Sequence, residues 1–281
     1  MTEYRRAVLK KVWHLLPLSV RNRVRATLAA HDIGRMHAQP AGDLGHLGII
    51  ANAPSEMSLD ERLFLYSLIR GRNPRRVLEI GTSQGGSAAI IAAALEDNDG
   101  DGRIIGIDPM PRIELDPAVF HGRFDLVTGK SPEAVTQAAE RAGAPFDIVL
   151  IDGIHIYQQA ADDLAASLPF ATPDAYFLFH DSFHFGVSEA IREAVERHPD
   201  LHDCGYVCSR PRRVGDLLTH AGFRLLRRGG AIVDPTPLVA PLWREVNAAP
   251  PHDPALRNHD IWYCDAIEPC NYCVAQRATS T

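Results

Sequence analysis

The sequence predicts a doubly wound α/β domain on a mostly parallel, seven-stranded sheet, preceded by a helical cap and followed by an irregular tail. Short, almost wholly apolar runs recur along the middle of the chain, each separated from the next by a helical or loop stretch. Such runs are typical of strands that helices cover on both faces of a sheet. The length of 281 residues allows one substantial core with terminal extensions.

The predicted elements follow one another at regular intervals. A capping box of Ser58 and Glu61 begins a helix over residues 58–69. Five strands are predicted at residues 75–80, 103–108, 124–128, 146–151 and 175–179. Helices are predicted at residues 87–95, 132–142, 157–168 and 187–197. Two last strands are predicted at residues 204–208 and 223–227, with a helix at 214–221 between them.

Three regions are predicted: a helical cap with its linker at residues 1–57, the core at 58–233 and a proline-containing tail at 234–281. The cap has two short amphipathic helices, at residues 4–16 and 19–30, with a basic face. Their apolar stripe is expected to pack on the core or on another copy of the chain, which would make a homo-oligomer. A membrane-surface role of the basic face is the alternative.

Composition excludes several classes of protein. The formal net charge of −6 gives no general reason to expect nucleic-acid binding. The apolar runs are too short or too interrupted for a membrane span or an export signal, so a cytoplasmic location is expected. The five cysteines, an odd number, indicate reduced thiols. A structural metal on Cys204, Cys208, Cys264, Cys270 and Cys273 is the alternative to ordinary thiols.

The first predicted strand ends in a glycine-rich turn that reads Glu79-Ile80-Gly81-Thr82-Ser83-Gln84-Gly85-Gly86-Ser87. Such a turn lets a ligand approach the backbone at the edge of an open sheet. Its spacing differs from the G-x-G-x-x-G turn that holds a dinucleotide pyrophosphate. The second strand ends in Asp108, where an acid can accept both ribose hydroxyls of a nucleoside.

With Gly129-Lys130-Ser131 after the third strand and Asp152-Gly153 after the fourth, these residues resemble the class I S-adenosylmethionine-dependent methyltransferases over residues 58–197. The resemblance implies S-adenosylmethionine as the cofactor. It implies that Glu79, Gly81 and Gly85 surround the methionine portion, Asp108 the ribose, and Gly129, Lys130 and Ser131 the adenine. Thr82, Ser83, Ser87 and Asp152 are expected to contribute to the same site. In the alternative, Glu79 and Asp108 only cap helices in another nucleotide-binding or inactive domain.

Polar residues also follow the fourth and fifth strands, which we expect to be neighbours. Asp152-Gly153-Ile154-His155 ends the fourth strand, and His180-Asp181-Ser182 ends the fifth. Carboxylates and imidazoles at adjacent strand tips can converge on a divalent cation. The carboxylates suit magnesium, and His180 would also tolerate manganese, iron or zinc.

The D-G-x-H-x-Y motif followed by H-D is similar to a branch of metal-dependent sugar O-methyltransferases, the macrocin-type enzymes and the cephalosporin hydroxylase-like proteins. This resemblance implies that Asp152, His180 and Asp181 hold the metal, although the family often has two acids at the last two positions. It implies that His155 is the general base and that the acceptor is a hydroxyl of a small molecule, on a sugar moiety of a natural product or glycan.

Three alternatives stay open. A metal-independent methyltransferase could use His155 or His180 as its base, and His155 could instead be a structural hydrogen-bonding residue. A non-catalytic methyltransferase-like domain could serve as an interaction module. His184 is a weaker candidate for substrate contact, and Tyr157 and Asp163 are interpreted as structural.

Overall fold

A computed structural model describes residues 46–182, 184–214 and 217–230. The chain divides into two compact units, residues 1–51 and 52–281, and every site residue discussed below belongs to the second. The helices of the described part are α1 Leu47–Asn52, α2 Leu59–Arg72, α3 Gly86–Glu96, α4 Val135–Ala142, α5 Tyr157–Ser167 and α6 Phe185–Arg197. Its strands are β1 Arg76–Ile80, β2 Arg103–Asp108, β3 Phe124–Thr128, β4 Phe146–Ile151, β5 Ala171–Phe179, β6 Leu201–Val214 and β7 Leu217–Arg228.

The seven strands form one sheet in the order β3-β2-β1-β4-β5-β7-β6. The pairs from β3 to β5 are parallel, and β7 runs antiparallel to both β5 and β6. The strand order reverses between β1 and β4, where open α/β sheets form their ligand crevice. The predicted fold class is confirmed, as is the expectation that β4 and β5 are neighbours.

Both faces of the sheet are covered. Alternate strand residues point to opposite faces, and on one face Leu78, Ile107, Val149 and Phe177 belong to a core shared with α4, α5 and α6. On the other face α2 packs against α3, which is buried at every residue except Glu96. The central strands therefore have no solvated face, which explains their continuous apolar sequence.

The capping box that begins α2 is confirmed. The backbone N–H of Ser58 donates to Oε2 of Glu61 at 2.6 Å, and the N–H of Glu61 faces Oγ of Ser58 at 3.4 Å. The helix continues to Arg72, three residues beyond the predicted end, and stops at Asn73 in a left-handed conformation with a φ of 49°. The predicted helix over residues 132–142 begins three residues late, at Val135.

The predicted helix at residues 214–221 is wrong. Strand β6 continues to Val214, and β7 starts at Leu217 and pairs with it along the hairpin. The predicted strands at 204–208 and 223–227 are parts of these two longer strands. The apolar residues at 214, 217, 218 and 221 follow helical spacing, but pairing with a long partner strand decides the conformation, because strand formation depends on tertiary context.

Some predictions fall on residues that are not described. The helices at 4–16 and 19–30, the tail from 234 onward, and Cys264, Cys270 and Cys273 lie outside the described residues. Cys204 and Cys208 lie on β6, and neither is assigned to a disulfide within the described residues. Within the described part, no helix has the length and apolar character needed to cross a membrane.

Candidate active site

A cavity of about 380 Å³ opens where β1, β4 and β5 end. Four parts of the chain form its walls: residues 54–57, the loop 81–84 with Gly86 and Ser87, Asp152 with His155 after β4, and His180 with Asp181 after β5. The sheet thus brings the glycine-rich turn and both predicted polar clusters to one crevice. The pairing of Ile80 with Ile151 and of Ile151 with Phe179 explains this convergence.

Gly81 is required where the first turn crosses the end of β4. Its φ is 94°, and a Cβ at this position would lie 2.1 Å from the backbone oxygen of Asp152. The N–H of Gly81 donates to the carbonyl of Ile107 on β2 at 2.9 Å. The turn therefore lies directly on the sheet edge, and no other residue fits there without a shift of the backbone.

The start of α3 forms the next part of the wall. Gly85 is its N-cap residue and has a φ of 78°, with no side-chain hydrogen bond to the first helical turn. A Cβ on Gly86 would lie 2.4 Å from the carbonyl oxygen of Pro54, so Pro54 packs directly against the turn. Uncapped N–H groups at a helix start can bind an anionic group of a ligand, such as a carboxylate.

Glu79 lies beneath the turn and is fully buried. Burial raises its pKa to about 7, although the nearby hydroxyls of Ser87 and Thr82 act to lower it. Neither carboxylate oxygen has a well-aligned hydrogen-bond donor within the described part of the chain. A buried carboxyl group of this kind is suited to accept a hydrogen bond from an amino group of a ligand.

Asp108 holds two loops together at the tip of β2. Its Oδ2 accepts the N–H of Ser83 and its Oδ1 the N–H of Met110, each at 2.7 Å. A carboxylate oxygen has a second lone pair, so both oxygens can still accept a hydroxyl. The backbone oxygen of Asp108 accepts the N–H of Gly129 at 3.1 Å, which joins the loop after β3 to the same tip.

Asp152 lies between two imidazoles. Its Oδ1 is 2.9 Å from Nδ1 of His180 and 3.6 Å from Nε2 of His155. Burial acts to raise the pKa of Asp152, but the charge of His180 and the contacts with both rings outweigh it and bring the pKa to about 2. Asp152 is thus a carboxylate at neutral pH, and it favours positive charge on both rings.

His180 is nearly buried and is surrounded by acids. Besides Asp152, Oδ2 of Asp181 lies 3.9 Å from Nδ1, and Oε1 of Glu61 lies 3.2 Å from Nε2. The contact with Glu61 is within ion-pair distance but lacks the alignment of a hydrogen bond. Burial lowers the pKa of His180, and the acids more than offset this and raise it well above its ordinary value.

His155 and His184 stack against each other at the cavity. Their ring centroids are 5.0 Å apart with planes at 22°, and His155 is 6.4 Å from the ring of His180. His184 precedes α6, and its N–H donates to the carbonyl of Asp181 at 3.0 Å. Asp181 has a φ of 45°, an uncommon conformation that such sites often contain.

The donor atoms fit a divalent cation in chemistry and in spacing. Among the described residues, there are two groups of three whose possible ligand atoms lie within 4.8 Å of one another. One group is Asp152, His155 and His180, and the other is His155, Asp181 and His184. The predicted ligands Asp152, His180 and Asp181 are divided between these groups. Mixed imidazole and carboxylate donors suit manganese, iron or zinc better than magnesium. The predicted ligand set stays a prediction.

The structure separates the predicted cofactor residues into two groups. Gly81, Thr82, Ser83, Ser87 and Asp152 line the cavity. The others lie beneath it, beside it or after β3: Glu79, Gly85, Asp108, Gly129, Lys130 and Ser131.

Two features have no specific sequence signal. Residues 54–57 carry no motif, although the segment 1–57 is expected to help form the acceptor pocket. Glu61 was interpreted only as a capping residue, and no local pattern links it to His180.

Comparison with known proteins supports the enzyme class. Residues 78–182 match the family described as a methyltransferase domain. The match runs from β1 to the loop after β5, so it contains the glycine-rich turn, Asp108 and both polar clusters. It confirms the predicted class of enzyme, a methyltransferase. Among curated proteins, none matches this sequence.

Several solved structures are similar to this chain. Cofactor-bound Rv0187 from MTB has 21% identity and a TM-score of 0.52, over 70% of this chain and 96% of that one. The O-methyltransferase from Bacillus cereus in complex with SAH has 18% identity, 71% and 97% coverage, and a TM-score of 0.49. TomG from Streptomyces achromogenes, an O-methyltransferase in complex with SAM, has 20% identity, 72% and 96% coverage, and a TM-score of 0.49. With the strand order, the first of these matches shows the class I methyltransferase fold.

Proposed function

We propose that the chain is an S-adenosylmethionine-dependent O-methyltransferase that methylates a hydroxyl group of a small molecule. The observation that carries the proposal is the position of His155. It lines the cavity that the glycine-rich turn also lines, and Asp152 lies 3.6 Å from its Nε2. A histidine beside a carboxylate is a suitable proton acceptor near neutral pH.

The cofactor is assigned to the edge formed by the turn and the tips of β2 and β3. Glu79 would accept the amino group of the methionine portion, and the start of α3 would face its carboxylate, with Gly81, Thr82, Ser83, Gly85 and Ser87 around it. Asp108 would accept the ribose hydroxyls, and Gly129, Lys130 and Ser131 would lie near the adenine. The depth of Glu79 and the free lone pairs of Asp108 support these roles.

The chemistry follows from these positions. The acceptor hydroxyl gives its proton to Nδ1 of His155, because Nε2 faces Asp152. The oxygen forms a bond to the methyl carbon while the bond from that carbon to sulfur breaks, and its electron pair stays on sulfur to give the neutral thioether. Asp152 stabilises the imidazolium that results. Positioning the hydroxyl in line with the methyl group supplies most of the rate.

Metal assistance is part of the proposal. Asp152, His180 and Asp181 would hold the divalent cation, magnesium or another, with His155 and His184 nearby. When bound, it would lower the pKa of an acceptor hydroxyl. The resemblance of the D-G-x-H-x-Y and H-D motifs to sugar O-methyltransferases supports a sugar moiety of a natural product or glycan as the acceptor.

A metal-independent reaction is the second candidate. The two ring nitrogens of His180 lie 2.9 Å and 3.2 Å from carboxylate oxygens of Asp152 and Glu61. A protonated His180 would then supply positive charge beside Asp152 without a metal. His155 has the same role in both candidates, so sensitivity to a chelator distinguishes them.

The test is a calorimetric titration of S-adenosylmethionine into chelator-treated protein, with and without added magnesium or manganese. Asp108→Ala removes two acceptors for the ribose and should weaken binding by roughly tenfold or more. Asp101→Ala, an exposed acid at the other end of β2, is the matched control and should bind normally.

The outcomes separate the candidates. A metal-binding heat that Asp152→Ala abolishes would support the metal-assisted reaction, and its absence in cofactor-binding protein would support the second candidate. If folded wild-type protein does not bind S-adenosylmethionine, the proposed function is wrong.

A further inference from the structure

Each ring nitrogen of His180 faces a different carboxylate. Nδ1 lies 2.9 Å from Oδ1 of Asp152 at the cavity, and Nε2 lies 3.2 Å from Oε1 of Glu61 on α2. The side chains of His180 and Glu61 are only 6% and 2% exposed. Water therefore has little access to either group, and the contact with Glu61 is part of the interior.

Glu61 is itself held in place. Its other oxygen, Oε2, accepts the backbone N–H of Ser58 at 2.6 Å, so the start of α2 fixes the carboxylate. The ring of His180 also meets the ring of Phe223 edge-on, with centroids 5.3 Å apart. His180 is thus restrained at both nitrogens and on its ring.

Helix capping alone does not explain Glu61. A capping box needs one acceptor oxygen and works with Gln as well as Glu. Burying a carboxylate is unfavourable unless a partner compensates it, and Oε1 has His180 beside it. The second oxygen therefore has a task that the cap does not give it.

We propose that Glu61 is a positioning residue that orients the ring of His180 so that Nδ1 faces Asp152 and Asp181. An imidazole can rotate by half a turn, which would place a ring carbon where Nδ1 now lies. A carboxylate beside Nε2 favours the orientation in which a ring nitrogen faces it, a role that carboxylates often have behind functional histidines. The proposal rests on the proposed function for its consequence, because His180 contacts Asp152 and Asp152 faces His155.

The test is NMR of the histidine ring nitrogens and their protons in the full chain, with His180 assigned from a His180→Gln variant. In wild-type protein we expect a slowly exchanging proton on Nε2 of His180. Glu61→Ala should lose this signal to exchange with water and should also shift the ring signals of His155. Glu61→Gln keeps an acceptor oxygen, so it should retain the proton at a changed chemical shift.

Ser58→Ala is the matched control, because it removes a side-chain acceptor of the capping box and leaves Glu61 beside His180. It should keep the wild-type ring signals. The proposal is overturned if Glu61→Ala leaves the His180 signals unchanged, or if Ser58→Ala alters them equally. If Glu61→Ala does not fold, unchanged shifts in Glu61→Gln overturn it.

A titration of S-adenosylmethionine into the same samples separates this proposal from the proposed function. Glu61 does not line the cavity, so Glu61→Ala should bind the cofactor with unchanged affinity. Absence of binding in wild-type protein would contradict the methyltransferase proposal, and the ring signals would still decide the role of Glu61.

Discussion

At the scale of single residues, two acids of the site have opposite pKa shifts. Burial raises the pKa of Glu79 to about 7, because only hydroxyls lie close enough to oppose it. Burial acts in the same direction on Asp152, but the imidazoles of His180 and His155 bring its pKa to about 2. The neighbours therefore decide which acid is charged, and Asp152 can stabilise a cation where Glu79 is partly protonated.

Glu79→Gln tests this difference. Between pH 4.5 and 7 folded Glu79 keeps a proton that the unfolded chain has released. This proton contributes about 3 kcal/mol to the free energy of unfolding. The contribution is fully present below pH 4.5 and is lost as the pH rises through 7. The variant has no such proton, so its free energy of unfolding relative to wild type should rise with pH across this window.

Urea unfolding at both ends of the window measures this effect. Glu140→Gln removes an exposed carboxylate on α4 and serves as the control, and it should keep the pH dependence of the wild type. A constant difference between Glu79→Gln and wild type would show that Glu79 titrates alike in both states.

Residue roles were predictable from sequence only where a local motif carries them. Asp108, Asp152 and His155 stand at strand tips, and the sequence places them there directly. Glu61 also stands in a local motif, the capping box, and that motif accounts for it fully at the sequence level. Its contact with His180 arises from packing between distant segments, which no spacing rule describes.

At the scale of elements, the turn between β1 and α3 depends on the end of β4. The carbonyl of Asp152 occupies the space where a Cβ of residue 81 would lie. Strand end and turn are therefore fitted to each other, and the cavity wall is formed by backbone as much as by side chains.

Gly81→Ala should destabilise the protein and weaken cofactor binding. The left-handed φ alone costs about 1–3 kcal/mol for a residue with a Cβ, and the contact with Asp152 adds to this. Gly71→Ala in α2 is the matched control, since no atom lies within 4 Å of its Cβ position. It should stabilise by up to about 1 kcal/mol. Thermal unfolding would check both, and equal effects would contradict the argument.

Elements with strong local signals were predicted well. The apolar runs of β1 to β4 and the cap of α2 agree with the structure to within a residue at most of their ends. The β6–β7 hairpin was not predicted as such, because residues 214–221 follow helical spacing and only the partner strand decides otherwise. Long hairpins depend on tertiary pairing, which a single sequence does not reveal.

At the scale of the whole molecule, a late segment of the chain completes the site. Phe223 on β7 is fully buried, and its ring meets the ring of His180 edge-on. Its ring centroid lies 6.0 Å from that of Phe64 on α2. It therefore joins three distant elements behind the cavity. The convergence of β4 and β5 was predicted, but the strand order and this contact were not, since they depend on the complete packing.

Phe223→Ala should cost about 3–5 kcal/mol in the free energy of unfolding, as for other large buried aromatic residues. Phe223→Leu keeps most of the volume and should cost less, about 1.5 kcal/mol or below. Urea unfolding measures both values. If the two variants are equally stable, Phe223 does not fill the interior as the structure shows.

The position of β7 also affects how the chain folds while it is being made. Strand β7 comes last among the strands of the described residues but pairs between β5 and β6. A nascent chain that has left the ribosome only as far as β5 therefore has an apolar inner strand with one edge unpaired, and such edges promote aggregation. Strand β6 does not cover this edge, because its only partner in the described sheet is β7. The growing polypeptide is therefore prone to aggregation until residues 217–228 emerge. A chaperone would protect the chain during this interval.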